Sequence, residues 1–110
     1  MRLTPTTLEM PVTTIVILDI PATPATRDKV LATLEDALVE TRAFDGCAGI
    51  ELLVNQDQPS NFVVYERWAS RAHYERYLEF RQASGFSASF RAMFPGPPVV
   101  RRFDIRKNYD

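Results

Sequence analysis

The sequence predicts an α+β fold whose elements follow the order β-α-β-β-α-β. Three observations carry this expectation. Asn61–Arg81 (NFVVYERWASRAHYERYLEFR) reads as a strand to Trp68 that passes at Ala69-Ser70 straight into a helix, with Tyr74, Tyr77 and Leu78 at helical spacing. Val30, Leu31, Leu34, Ala37, Leu38 and Thr41 form a second stripe at the same spacing. Val12–Ile20, Cys47–Asn55 and Val99–Arg106 are short β-rich runs bounded by proline, glycine or polar residues.

Taken in order, residues 1–11 are a Thr/Pro-rich lead-in. The first strand, Val12–Ile20, breaks at Pro21. In the PATPAT run, Thr23 is the expected N-cap and Pro24 the first helical residue, where a missing N–H has no consequence. The helix runs to about Ala43, and Gly46 separates it from the second strand. The polar turn Asn55–Ser60 leads back through the third strand. Ser70 is placed to cap the second helix, which pauses near Ser84-Gly85 and resumes with Phe86, Phe90, Met93 and Phe94 at helical spacing. Phe94–Pro98 stops it. Val99–Arg106 is the last strand and residues 107–110 a tail. One domain, residues 12–106, is expected, with no internal repeat.

With right-handed crossovers this order gives the ferredoxin-like split βαβ arrangement, a four-stranded antiparallel sheet with both helices on one face. Alternation then sorts the side chains. Val16, Leu18, Ile20, Ile50, Leu52, Val54, Phe62, Val64, Glu66 and Trp68 are expected on the helix side, being the more apolar set. Ile15, Ile17, Leu53, Val63, Tyr65 and Val100 fall opposite, with Asp19, Glu51, Arg67 and Arg102 towards the strand ends. A second, partly apolar face calls for a partner. A second copy of the chain is the simplest, and two sheets face to face would make a dimeric α+β barrel. A monomer with some exposed aliphatics would leave the same pattern.

Composition narrows the function classes. The 110 residues carry a formal net charge of −1, which gives no electrostatic footprint for nucleic acid. The single cysteine, Cys47, permits no disulfide framework and reads as a small buried residue. The N-terminus lacks the apolar stretch of a signal peptide, and no run is long enough to span a membrane, so a soluble, cytoplasmic protein is expected. One histidine, His73, and one cysteine do not make the usual nitrogen and sulfur set for a metal. Four glycines cannot supply a phosphate-binding loop, so flavin or nicotinamide binding in a dedicated nucleotide fold has no support. His73 is expected on the solvent side of its helix, one residue before the inward Tyr74.

The chemistry-bearing residues converge on the strand–helix junction. Trp68 shares the inner face with Phe62 and Val64, where a core aromatic is the ordinary reading and its N–H needs a partner. Glu66 lies on that same face. A buried carboxylate is costly unless hydrogen-bonded or paired, so Glu66 implies a polar pocket, an Arg or Tyr partner, or a bulge that turns it outward. Tyr74 and Tyr77 bring phenols to the inner stripe of the second helix, and Arg81 continues the line; core tyrosines would look alike. Arg91, among Phe90, Met93 and Phe94, is either a surface residue with a buried stem or the closure of a cavity mouth.

Asp45-Gly46-Cys47 before the second strand, Glu66-x-Trp68-x-Ser70 before the second helix, and the element order together resemble the antibiotic biosynthesis monooxygenase family over roughly residues 12–106. The resemblance implies a homodimeric α+β barrel with a pocket between helices and sheet in each subunit. It implies that Trp68, Tyr74 and Arg91 stand where pocket residues stand in the members that oxygenate aromatic polyketides, while Val64 replaces an Asn of those members. Tyr77 replaces a His found in many relatives. The Asn, Trp and His of haem-degrading members correspond to Val16, Tyr77 and Phe86, all departures, so haem degradation ranks low.

The activity implied is a cofactor-independent monooxygenase acting on a small electron-rich aromatic of phenol, anthrone or quinol type, with dioxygen as second substrate and no cofactor. Val16, Leu18, Leu52, Val64, Tyr77 and Phe86 would line the pocket; Trp68 and Tyr74 would orient the ring; Glu66 would act as base or merely hold Tyr77; Arg91 would balance the anion. A non-catalytic small-molecule-binding or stress-associated dimer on the same scaffold is the alternative.

Overall fold

A computed structural model describes residues 13–109; the expected lead-in over 1–11, Val12 and Asp110 lie outside the described residues. The described strands are β1 Thr14–Pro21, β2 Cys47–Val54, β3 Asn61–Trp68 and β4 Val99–Asp104. The helices are α1 Arg27–Ala43, α2 Arg71–Ala83 and α3 Phe86–Arg91. The sheet order is β2-β3-β1-β4 with every pair antiparallel, which is the ferredoxin-like arrangement that the element order implies.

β3 shows why the sheet folds as it does. Phe62, Val64, Glu66 and Trp68 alternate with half-buried or exposed neighbours and are all buried. Phe62 and Val64 meet Val30 and Leu34 of α1, Ile20 of β1 and Phe90 of α3 in one apolar cluster. Trp68 meets Val16, Cys47, Tyr74 and Tyr77 in a second cluster at the other end of the sheet. Each fully buried large apolar side chain stabilises the fold by about 1.5–3 kcal/mol, so these two clusters outweigh the local propensities of the helices.

Three local expectations are corrected. α1 begins at Arg27 rather than Pro24, because Thr23 and Thr26 close a turn on each other. The Thr26 N–H donates to the Thr23 hydroxyl and the Thr23 N–H to the Thr26 hydroxyl, at 3.2 and 3.1 Å. β4 ends at Asp104 rather than Arg106, and residues 105–109 follow without regular structure. Its parity is also reversed. Val100 pairs with Leu18 and Arg102 with Val16, which puts both on the helix side, while Val99, Arg101 and Phe103 face the other way.

Two glycines take left-handed backbone, Gly46 at φ 90° and Gly85 at φ 78°. Gly85 breaks α2 from α3 where the sequence suggests a pause. Gly46 turns the chain from α1 into β2, and its carbonyl accepts from the Ala69 N–H at 2.7 Å. His73 covers it, so a Cβ at Gly46 would overlap the imidazole, whereas one at Gly85 would meet nothing. His73 is therefore half-buried rather than turned to solvent. Its Nδ1 lies 2.7 Å from the Ser70 hydroxyl, which itself caps α2 by accepting from the His73 N–H. We expect Gly85→Ala to cost about 1–2 kcal/mol for the left-handed backbone alone. Gly46→Ala should cost clearly more, because the imidazole must also move. Urea titration of the two variants checks this, and equal losses would remove the His73 packing from the account.

Candidate active site

Between α1, α2, α3 and the inner face of the sheet lies a cavity of about 140 Å³. Leu18, Leu34, Leu38, Leu78, Phe86, Phe90, Pro98 and Val100 give it apolar walls. Its polar lining is Thr41, Glu66, Tyr74, Tyr77, Arg81, Ser87 and Arg91.

Glu66 reaches this place because β3 alternation turns it inward, where it is only 4% exposed. The Trp68 indole N–H donates to Glu66 Oε1 at 2.9 Å, joining two residues of one strand face. Burial raises the Glu66 carboxyl to about 7; the Trp68 hydrogen bond and the Arg81 charge oppose the rise without cancelling it. Glu66 is thus a carboxyl poised to give or take a proton near neutrality.

Trp68 is wholly buried and stands behind Glu66 instead of on the cavity wall. Its ring centre is 5.6 Å from that of Tyr74 and 5.1 Å from that of Tyr77. Phe44 closes the back of this stack, 5.4 Å from Tyr77 and 6.3 Å from Trp68. The geometry gives Trp68 the work of fixing the carboxylate. Tyr74 is buried and lines the cavity, with the Arg102 guanidinium 5.3 Å above its ring. Burial, reinforced by the Glu66 charge, holds the Tyr74 hydroxyl well above the usual phenol range, so it stays protonated.

Tyr77 belongs to a different polar unit. Arg81 Nε donates to the Tyr77 hydroxyl at 2.8 Å, and that hydroxyl lies 2.7 Å from the Thr41 hydroxyl. Thr41 in turn donates to the Ala37 carbonyl at 3.2 Å. Arg81 also donates to Glu40, to the Ala37 carbonyl and to Thr41, at 2.8, 2.9 and 3.0 Å. Its guanidinium rests 4.5 Å from the Phe86 ring centre. Burial raises the Tyr77 hydroxyl, with the Thr41 and Arg81 hydrogen bonds acting against it. The network ties α2 to α1 and holds a cation at the cavity wall. No hydrogen bond joins Glu66 to Tyr77 among the described residues.

Of the residues singled out in the sequence, Glu66, Tyr74, Tyr77, Leu18, Phe86 and Arg91 line the cavity. Arg91 is exposed, at the rim. Val16 and Val64 are fully buried beneath the lining, and Leu52 lies in a shallow groove on the other flank of α1 with Leu38 and Ile50. Arg81 and Thr41 were legible only as continuations of helical stripes; a spacing of 40 positions gives no sign that their side chains meet. Cys47 is buried against Trp68, and burial pushes its thiol up, away from nucleophilic use. No cluster of three metal-ligating side chains occurs among the described residues, and no described helix is long and apolar enough to cross a membrane.

The model of the antibiotic biosynthesis monooxygenase family matches residues 13–89. No functionally curated protein matches the sequence. Among solved structures, Rv0793 from Mycobacterium tuberculosis is similar, with a TM-score of 0.79 and 22% identity over 89% of this chain and 99% of that one. The monooxygenase from the ActVA-Orf6 gene of Streptomyces coelicolor, solved in complex with nanaomycin D, gives 0.74 and 18% over 89% and 91%. The NE2512 protein of unknown function from Nitrosomonas europaea gives 0.74 and 19% over 89% and 93%. At these identities the likeness shows the fold.

Two outcomes follow from the site. Replacing Arg81 by Met leaves Tyr77, Thr41 and the Ala37 carbonyl short of a donor and should cost about 2–4 kcal/mol. The Glu40 side chain is 60% exposed, and a Gln there still accepts from Arg81, so Glu40→Gln should cost less than about 1 kcal/mol. Chemical denaturation of both variants measures the contrast. The second outcome concerns pH. Glu66 binds its proton more tightly folded, at about 7, than unfolded, at roughly 4.3. Between those values the folded state holds the extra proton, so stability falls as pH rises through the window, by roughly 4 kcal/mol. Urea midpoints taken from pH 4 to pH 8 should lose this slope in Glu66→Gln.

Proposed function

Since the chain belongs to the antibiotic biosynthesis monooxygenase family, we propose that it is a cofactor-independent monooxygenase that oxidises a small hydroxyaromatic ring with dioxygen. One observation carries the reading: a buried carboxyl, raised to about 7, lines an aromatic-walled cavity between helices and sheet. The cavity, at about 140 Å³, matches an engineered cavity of about 150 Å³ that takes benzene. A single-ring phenol or quinol fits this volume better than a three-ring anthrone.

The substrate supplies the electrons. Glu66 takes the phenolic proton, and the resulting phenolate is rich enough in electrons to reduce dioxygen, which closed-shell neutral aromatics do poorly. One oxygen atom forms a new carbonyl on the ring. The other leaves as water with two hydrogens of the substrate, so a phenol plus dioxygen gives a quinone plus water without an external reductant. Apolar walls keep bulk water from the anion, and the Arg81 and Arg91 charges offset its formation. The exposed Leu53, Val99 and Phe103 on the outer sheet face support a homodimer joined through that face.

Oxygen consumption by metal-free, flavin-free protein with phenol, hydroquinone and catechol tests the reading. Uptake should exceed autoxidation and kcat/KM should rise with pH to a plateau above about 7, as Glu66 ionises. Glu66→Gln should lose about 10²–10⁴-fold and the pH step with it. Uptake at the autoxidation rate across the panel, with saturable binding of the same ligands, would favour the binding-module reading instead.

A further inference from the structure

Two buried polar groups at the cavity have no hydrogen-bond partner among the described residues. Glu66 accepts one hydrogen bond, on Oε1 from Trp68; its Oε2 has none among the described residues. The Tyr74 hydroxyl likewise has none, although the residue is only 4% exposed. Buried polar atoms are almost always paired, so two orphans on residues that line one cavity point to something that enters it. The two are close enough that the Glu66 charge is among the causes that raise the Tyr74 hydroxyl. The contrast with Tyr77 is direct, since that hydroxyl is saturated by Arg81 and Thr41.

The chemistry of the pair is complementary. An ionised Glu66 Oε2 only accepts, and Tyr74, held protonated, has a hydrogen to donate. We infer that Glu66 Oε2 and the Tyr74 hydroxyl together grip a single free hydroxyl on a one-ring ligand, the ligand O–H donating to Glu66 while its oxygen accepts from Tyr74. The site then selects phenols against their methyl ethers and against hydrocarbons of the same shape. A methyl ether has an oxygen but no hydrogen to give, which leaves the carboxylate orphaned; toluene leaves both groups orphaned. This deepens the function proposed above and rests on the same cavity being the ligand site.

Calorimetric titration under nitrogen, at a pH above the Glu66 titration, with phenol, anisole and toluene tests the inference without any turnover. Phenol should bind about 10- to 100-fold more tightly than anisole or toluene. An apolar cavity without these partners gives the reverse order, because phenol loses more hydration on entry than the other two. Tyr74→Phe and Glu66→Gln should each shrink the preference about tenfold or more. The Gln retains an oxygen for the Trp68 N–H but turns a donor, not an acceptor, towards the ligand. Anisole or toluene binding as tightly as phenol, no saturable phenol binding, or a preference that survives both substitutions would each overturn the inference. The wild-type comparison stands even if a variant fails to fold. Hydroxyl preference without oxygen uptake would keep this inference and remove the oxygenase. Uptake without hydroxyl preference would do the opposite.

Discussion

The inner face of β3 carries a carboxylate in the third of four buried positions, and much of the molecule's interest follows from that constraint. Phe62, Val64 and Trp68 can be buried at no electrostatic cost; Glu66 between them cannot. Among the described residues the fold answers with one hydrogen bond, from the Trp68 indole two residues on. That bond is too little to restore the carboxyl to its ordinary range, and the residual rise to about 7 is the measure of what burial still costs. A Gln or Met would pack there with less penalty. The sequence instead keeps an ionisable group beside a cavity large enough for a ring.

The two polar units of the cavity differ in kind. Arg81, Tyr77, Thr41, Glu40 and the Ala37 carbonyl form a network in which donors meet acceptors, across two helices. Such a network orders structure; α1 and α2 are fixed relative to each other by it, and a cation is held in place as a by-product. Glu66 and Tyr74 are the opposite case, each with hydrogen-bonding capacity left over among the described residues. Both units look similar in sequence, as polar residues on apolar stripes. Only the pairing of their atoms separates the saturated unit from the one with capacity to spare.

Legibility followed periodicity. β3 and α2 alternate and repeat cleanly, so the inward placement of Glu66, Trp68, Tyr74 and Tyr77 was readable. β4 reads VVRRFD, doublets with no period of two, and its parity could not be set without the partner strand. The start of α1 was blurred because Thr23 and Thr26 are both capable caps and in fact cap each other. Trp68 was readable as inward but not as Glu66's donor, since an indole on that face could equally have met the cavity. Arg81 and Thr41 lie in separate helices, and a contact across them leaves no local trace.

The unevenness of the cavity wall completes the argument. Beside Glu66 the wall is made of the nearly buried Tyr74 and Tyr77, backed by the wholly buried Trp68 and braced by Phe44 and the Arg81 network. Towards α3 and β4 it is made of Arg91 and Val100, which are exposed, with Ser87 and Pro98 half-buried beside them. Side chains that keep solvent contact have fewer neighbours to fix them, so this side yields more cheaply than the back. Glu66 and Tyr74 therefore sit on the more rigid side, and the solvent-exposed part of the lining lies towards α3 and β4. Fixed geometry and access from solvent make contrary demands on packing, and the two sides of the cavity meet them with different elements.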